Sequence, residues 1–232
     1  MRLEFTPVAV LFDMDGLMIE SERALLQCWR EASQELGLDV EDALWLSFVG
    51  LSDRACHDLL RARFGDEETL QALLHGLQVR YDAHVEAGLP LKVGLLELLA
   101  VLEERGIPRA VVTSTRRDRA LQKLTSTGLL PHFHEVVAGN EVQHTKPAPD
   151  IYLLAAERLG VAPSRCVVLE DSVPGVRAAL AAGMTPIQVP DLVVPDGAVR
   201  ALGHRIVDSL VHARALIEPA LKAPLPAGER LG

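Results

Sequence analysis

Two aspartates one residue apart, Asp13 and Asp15, end the apolar run Val8 to Phe12 in VAVLFDMDGLMIES. On an extended backbone they lie on the same side, so their charges repel unless something holds them together, and a metal ion answers that need. Other polar residues stand at comparable places. Thr113 ends RAVVT with Ser114 and Thr115 after it, Glu170 ends CVVLE with Asp171 after it, and Lys146 sits in HTKPAPD. Together they suit phosphoryl transfer, which requires a held divalent cation, neutralised phosphate oxygens, a nucleophile and a proton donor for the leaving oxygen. Carboxylates with Mg2+ meet the first need, because this hard cation takes oxygen ligands. Lys146 supplies a point charge, and the Ser114 hydroxyl with the amides opening the next helix forms an anion site.

These groups converge only if the strands before them lie side by side. VAVLF, RAVVT, CVVLE and PIQVP are apolar and rich in β-branched residues on consecutive positions, as strands covered on both faces are, and HEVVAG is a weaker fifth. Helical patterns closed by glycine run from Arg116 to Thr127, Pro149 to Leu159 and Pro174 to Ala182. Alternation of this kind predicts a Rossmann-like, doubly wound parallel α/β sheet, with ligands at the carboxyl ends of its strands. About ninety residues separate the first two strands, far more than a crossover needs, so an inserted domain is expected. Helix-period apolar residues at Glu22 to Leu36, Asp53 to Phe64 and Glu67 to Glu86 make that insert a helical cap. The expected division is a core of 1–18 and 93–217, a cap of 19–92, and a loosely attached tail of 218–232 that includes three prolines in or beside it. The cap hinges fall near Met18 to Ser21 and Gly88 to Gly94.

Composition narrows the partners. At 49% hydrophobic, the 232 residues fill a core, while 4% aromatic content and a net charge of −9 leave no basic stripe or stacking platform for nucleic acid. Cys28, Cys56 and Cys166 are isolated, against a disulfide framework or structural zinc. Arg2 and Glu4 precede only a short apolar run, unlike a secretory signal, and the longer apolar stretches are broken by charge, so no membrane partner is expected and a cytoplasmic location follows. The oligomeric state stays open, a monomer being compatible with the sequence.

The chain resembles the phosphotransferases of the haloacid dehalogenase superfamily, in the subgroup with a helical cap after the first motif. Four motifs occur in order: DMDG at Asp13 to Gly16, VVTS at Val111 to Ser114, Lys146 in TKPAPD, and LEDSVPG at Leu169 to Gly175. The resemblance implies that Asp13 is a nucleophile forming an aspartyl-phosphate, and that Asp15 is general acid and base, with its backbone carbonyl on Mg2+. It further implies that Ser114 binds phosphate, that Lys146 orients phosphate and neutralises Asp13, that Asp171 ligates Mg2+ and Glu170 assists directly or through water, and that Gly16 and Gly175 give the backbone room. Thr115 is as good a phosphate candidate as Ser114, which can also serve as a plain helix cap. Ser172 reads as an N-cap. A carboxylate at 15 favours phosphate over carbon chemistry, since an alcohol leaving group benefits from a nearby proton donor.

A Mg2+-dependent phosphatase of a small phosphomonoester, a sugar phosphate, is therefore expected. FVGLSDRACHDLL resembles the family's specificity loop, with Gly50, Ser52, Asp53 and Arg54 as substrate contacts. A β-phosphoglucomutase-like enzyme is the alternative, because it shares the core motifs. Against it, ESERAL places Leu25 where many of that subgroup carry histidine, and Asp53 stands where the mutase loop carries arginine. An aspartate there repels a distal phosphate unless Arg54 takes over. A non-catalytic phospho-ligand binder is a third reading, disfavoured by the presence of both Asp13 and Asp15.

Overall fold

A computed structural model describes residues 3–48 and 53–221. Six strands, β1 (Ala9–Phe12), β2 (Arg109–Thr113), β3 (Glu135–Ala138), β4 (Cys166–Glu170), β5 (Thr185–Gln188) and β6 (Arg205–Ile206), form one parallel sheet in the order β3-β2-β1-β4-β5-β6. Every residue of β1, β2 and β4 is buried, which explains why their sequences show no polar alternation. Successive side chains still serve different layers. Val10 and Phe12 enter the core that includes Leu98, Leu102, Leu124 and Leu210, whereas Ala9 and Leu11 enter the one built with Ile151, Tyr152, Ala155 and Ala178.

Four helices, α1 (Ser21–Glu35), α2 (Asp42–Leu46), α3 (Asp53–Phe64) and α4 (Glu67–Ala87), occupy the interval after β1. Their own core holds Trp29, Ala32, Trp45, Phe48, Leu60, Leu70 and Leu73, with the indoles of Trp29 and Trp45 stacked 4.9 Å apart and Phe48 edge-on to both. Gly76 of α4 faces Ala32 of α1, where a Cβ would stand 3.4 Å from that of Ala32. The two chain crossings between cap and core run antiparallel: Glu20 N–H donates to the Pro90 carbonyl and Lys92 N–H to that of Met18, both at 2.9 Å. Lys92 Nζ also joins Glu20 Oε2 at 3.0 Å to Asp191 Oδ1 at 2.6 Å, tying both crossings to the loop after β5.

The remaining helices α5 (Leu95–Glu104), α6 (Arg117–Ser126), α7 (Asp150–Leu159), α8 (Val173–Ala181), α9 (Gly197–Arg200) and α10 (Leu210–Ile217) belong to the core. Sequence periodicity did not lead us to assign α5, α9, α10 or the two-residue β6. Leu221, near the start of the segment expected to be a loose tail, is buried against the core, and 222–232 lie outside the described residues. Among the described residues no helix is long and apolar enough to cross a membrane. Trp29→Ala should remove the centre of the cap core and cost about 3–5 kcal/mol in the urea-induced unfolding of that region; a change below about 1 kcal/mol would mean the stacked indoles do not hold the cap together.

Candidate active site

The sheet order reverses between β1 and β4, and Phe12 pairs with Leu169 in that register. Asp13 therefore leaves β1 beside Glu170 at the end of β4, its N–H bonded to the Leu169 carbonyl at 3.0 Å. The pairing of Thr113 with Ala138 likewise sets Ser114 beside Gly139. This is the crevice where an open parallel sheet binds ligands.

Lys146 comes from the loop between β3 and α7. Its ammonium, on a side chain only 4% exposed, donates to Asp13 Oδ1 at 2.5 Å, Glu170 Oε1 at 2.7 Å and the Val112 carbonyl at 2.9 Å. Burial alone would lower its pKa, but the charges of Asp13 and Glu170 outweigh that and hold it well above the usual lysine value. Glu170 is wholly buried and fully engaged: Tyr152 Oη donates to Oε1 at 2.7 Å, and Ser172 N–H and Oγ donate to Oε2 at 3.1 and 2.9 Å. Ser172 also caps α8, accepting from Gly175 N–H. Gly175 is required by space, because a Cβ there would lie 1.8 Å from Glu170 Oε1.

Acceptor oxygens of Asp13, Glu170 and Asp171 lie within 4.8 Å of one another. One ammonium cannot neutralise three carboxylates. Burial, opposed by Lys146 and reinforced by Glu170, pushes Asp13 up to about 8, and burial with Asp13 and Glu170 drives Asp171 well above the ordinary carboxylate range. The donor set is all oxygen and short of positive charge, which fits a hard divalent cation. Glu170, with four donors on its two oxygens, is the least free to serve it. Gly16, at φ +80°, borders this cluster; a Cβ would stand 2.4 Å from Asp171 Oδ2.

Asp15 is held in the opposite sense. Lys123 Nζ donates to Oδ1 and the Thr115 hydroxyl to Oδ2, each at 2.7 Å. Burial raises its pKa, yet Lys123 and Thr115 prevail and lower it. Thr115, expected to bind phosphate beside Ser114, thus spends its hydroxyl proton on Asp15. Ser114 is exposed, and its backbone is pressed so closely on Gly139 that a Cβ there would meet the Ser114 carbonyl at 2.2 Å. The first amide of α6 is also taken, Arg117 N–H donating to Asn140 Oδ1 at 2.9 Å. Leu25 packs against the cap's own core. Gly50 and Ser52 lie outside the described residues, as do the side chains of Asp53 and Arg54, whose backbones begin α3.

Lys123, Tyr152 and Gly139 had not been singled out as functional. For Lys123 a signal existed: it falls on the same face of α6 as Ala120 and Leu124, all three buried, and a charge on an apolar stripe requires a partner. Nothing in the sequence marks Tyr152 as a partner of Glu170.

A doubly wound sheet with a helical cap, an acid pair at the end of its central strand and a buried lysine between strand ends defines a capped α/β enzyme. Residues 8–183 match the model of the haloacid dehalogenase-like hydrolases, and the chain belongs to that family. It is 31% identical over 179 residues to the phosphorylated carbohydrates phosphatase of Thermotoga maritima, covering 77% of this chain and 83% of the relative. It is 35% identical over 179 residues to hexitol phosphatase A of Escherichia coli, covering 77% and 81%. The crystal structure of a haloacid dehalogenase family hydrolase from Deinococcus radiodurans with bound phosphate and sodium superposes with a TM-score of 0.79 at 33% identity, over 96% of this chain and all of that one.

Two outcomes test the electrostatics. A carboxyl raised in the fold binds a proton that the unfolded chain has released, so Asp13 stabilises the metal-free protein at low pH, and that contribution is lost as pH rises from its ordinary 3.8 to about 8. Thermal unfolding of metal-free protein should therefore show a midpoint that falls through this window, with a shallower fall in Asp13→Asn; identical slopes would show that Asp13 is not the group involved. Gly175→Ala must displace Glu170 and should cost about 1–3 kcal/mol by the same measurement, and wild-type stability would mean that Glu170 moves aside freely.

Proposed function

We propose that the protein is a Mg2+-dependent phosphatase that hydrolyses a small phosphomonoester, a sugar phosphate, through an aspartyl-phosphate on Asp13. The observation that carries this reading is Asp13 at the mouth of the crevice, bonded to Lys146, with a second carboxylate two residues on that is separately held by its own lysine. The named relatives, phosphatases of phosphorylated carbohydrates and hexitols, support the substrate class.

In the first step an Asp13 oxygen bonds to phosphorus as the bond to the sugar oxygen breaks, and Asp15 gives its proton to that departing oxygen. In the second, Asp15 takes a proton from water as the water oxygen bonds to phosphorus and the bond to Asp13 breaks, releasing inorganic phosphate. Lys146 lies against the nucleophile and offsets charge on the phosphoryl oxygens, while Ser114 on the exposed lip of the crevice offers a hydroxyl to them. Asp13, Asp171 and the backbone carbonyl of Asp15 would hold Mg2+, with Glu170 keeping Lys146 in place. The ion's contribution is to neutralise charge that develops on the phosphoryl group. The cap covers the carboxyl ends of the strands and supplies specificity, with Arg54 a substrate contact. A cytoplasmic enzyme with neither a nucleic acid nor a membrane partner completes the reading.

Hydrolysis is favoured over sugar phosphomutation because Leu25, at the position where many of that subgroup carry histidine, is absorbed into the cap core. Phosphate release from a panel of hexose and hexitol phosphates should depend on Mg2+ and fall to background in Asp13→Asn, whereas interconversion of glucose 1- and 6-phosphates without net release would establish the mutase. Lys146→Ala should lower kcat/KM about 100-fold or more, and unchanged kinetics on every substrate would remove Lys146 from the site.

A further inference from the structure

Lys123 is only 5% exposed and lies on α6, its ammonium on Asp15. Its other neighbour comes from the cap. The ammonium sits 5.2 Å from the centroid of the Tyr81 ring on α4, and Arg119, one turn earlier on α6, stacks on the same ring at 5.5 Å while forming an ion pair with Asp82. The seam continues to the ends of both helices, where Gly88 leaves only enough room for the Ser126 carbonyl. Asp15 is thus fixed at one oxygen by Thr115 of the core and at the other by a lysine whose far side is walled by the cap.

We propose that Lys123 is a positioning residue that fixes the Asp15 carboxyl for proton transfer, and that Tyr81 makes this positioning depend on the seating of the cap. The inference rests on the phosphatase reading above, in which Asp15 passes a proton to the departing sugar oxygen and later takes one from water. A carboxyl tied at both oxygens keeps one orientation, and the transfer needs that orientation within hydrogen-bond reach of the reacting oxygen. With the lysine removed, the oxygen opposite Thr115 loses the ammonium that holds it. A role confined to filling a buried site would instead act on stability and on all substrates alike.

The leaving group separates these possibilities. An alkoxide needs a proton as it departs, whereas p-nitrophenolate leaves without one. Single-turnover reactions with Mg2+ and enzyme in excess would follow sugar release from the best sugar phosphate, p-nitrophenol release from p-nitrophenyl phosphate, and decay of the phosphoenzyme. In Lys123→Met, sugar release and phosphoenzyme decay should slow roughly tenfold or more, within the ~100- to 10,000-fold that a positioned acid–base group contributes, while p-nitrophenol release stays within about threefold of wild type. Lys123→Arg should restore part of both lost rates. Tyr81→Leu, which leaves Lys123 in place, should repeat the selective loss to a smaller extent and provides the test if Lys123→Met does not fold. Equal losses on the two substrates, or no loss on either, would overturn the proposal. Absence of a phosphoenzyme in the wild-type protein would instead overturn the phosphatase reading beneath it.

Discussion

A single buried ammonium among three carboxylates is the constraint on which the rest of this site depends. Charges cannot be taken from water without compensation, and Lys146 is compensated by oxygens from three places: the end of β1, the end of β4 and the Val112 carbonyl of β2. Those strands are neighbours, so the lysine joins the ends of the three central members of the sheet. The arrangement in turn dictates surrounding residues. Glu170 cannot be buried without donors, which Tyr152 and Ser172 provide, and it has space only because position 175 lacks a side chain.

The same accounting leaves the cluster short of positive charge. Lys146 is fully charged, yet Asp13 and Asp171 are both driven upward, which is the state of carboxylates that must share a proton or a cation. A third acid, Glu22 in the first turn of α1, is likewise pushed up to about 7 by burial and by the charge of Asp15. Cap and core therefore face each other across a region of unbalanced negative charge, bridged at the chain crossings by Lys92 and in the seam between α4 and α6 by Lys123 and Arg119.

How much of this could be read in the sequence follows from the range of each interaction. The central strands announced themselves because burial on both faces leaves uninterrupted apolar runs, and Asp13, Lys146 and Glu170 were legible because each stands at a strand end or in a distinctive loop. The helical insertion followed from the length of the interval between β1 and β2. Two-residue β6 has no periodicity to detect, and α5 was hidden because its charges at Glu97 and Glu103 read only as breaks in an apolar stretch. Thr115 could not be separated from Ser114 by adjacency alone. Only the fold, which carries Asp15 to α6 across a hundred residues, shows which hydroxyl meets it. Lys123 was missed for the same reason, since its partner is 108 positions away.

Asp13 and Asp15 lie two residues apart in opposite environments, and environments that push neighbouring carboxyls apart are how acid and base roles become distinct. In the metal-free arrangement the division runs contrary to the proposed chemistry: Asp13, the nucleophile, holds its proton up to about 8, while Asp15, which must give one, is held ionised by Lys123 and Thr115. Positive charge beside Asp13 and Asp171 lowers the first, and the negative phosphate of a substrate arriving near Asp15 raises the second. The first shift needs a cation and the second a substrate. In the proposed mechanism the nucleophile is ionised once the cluster's missing charge is supplied, and the acid gains its proton once a phosphate is present to require it.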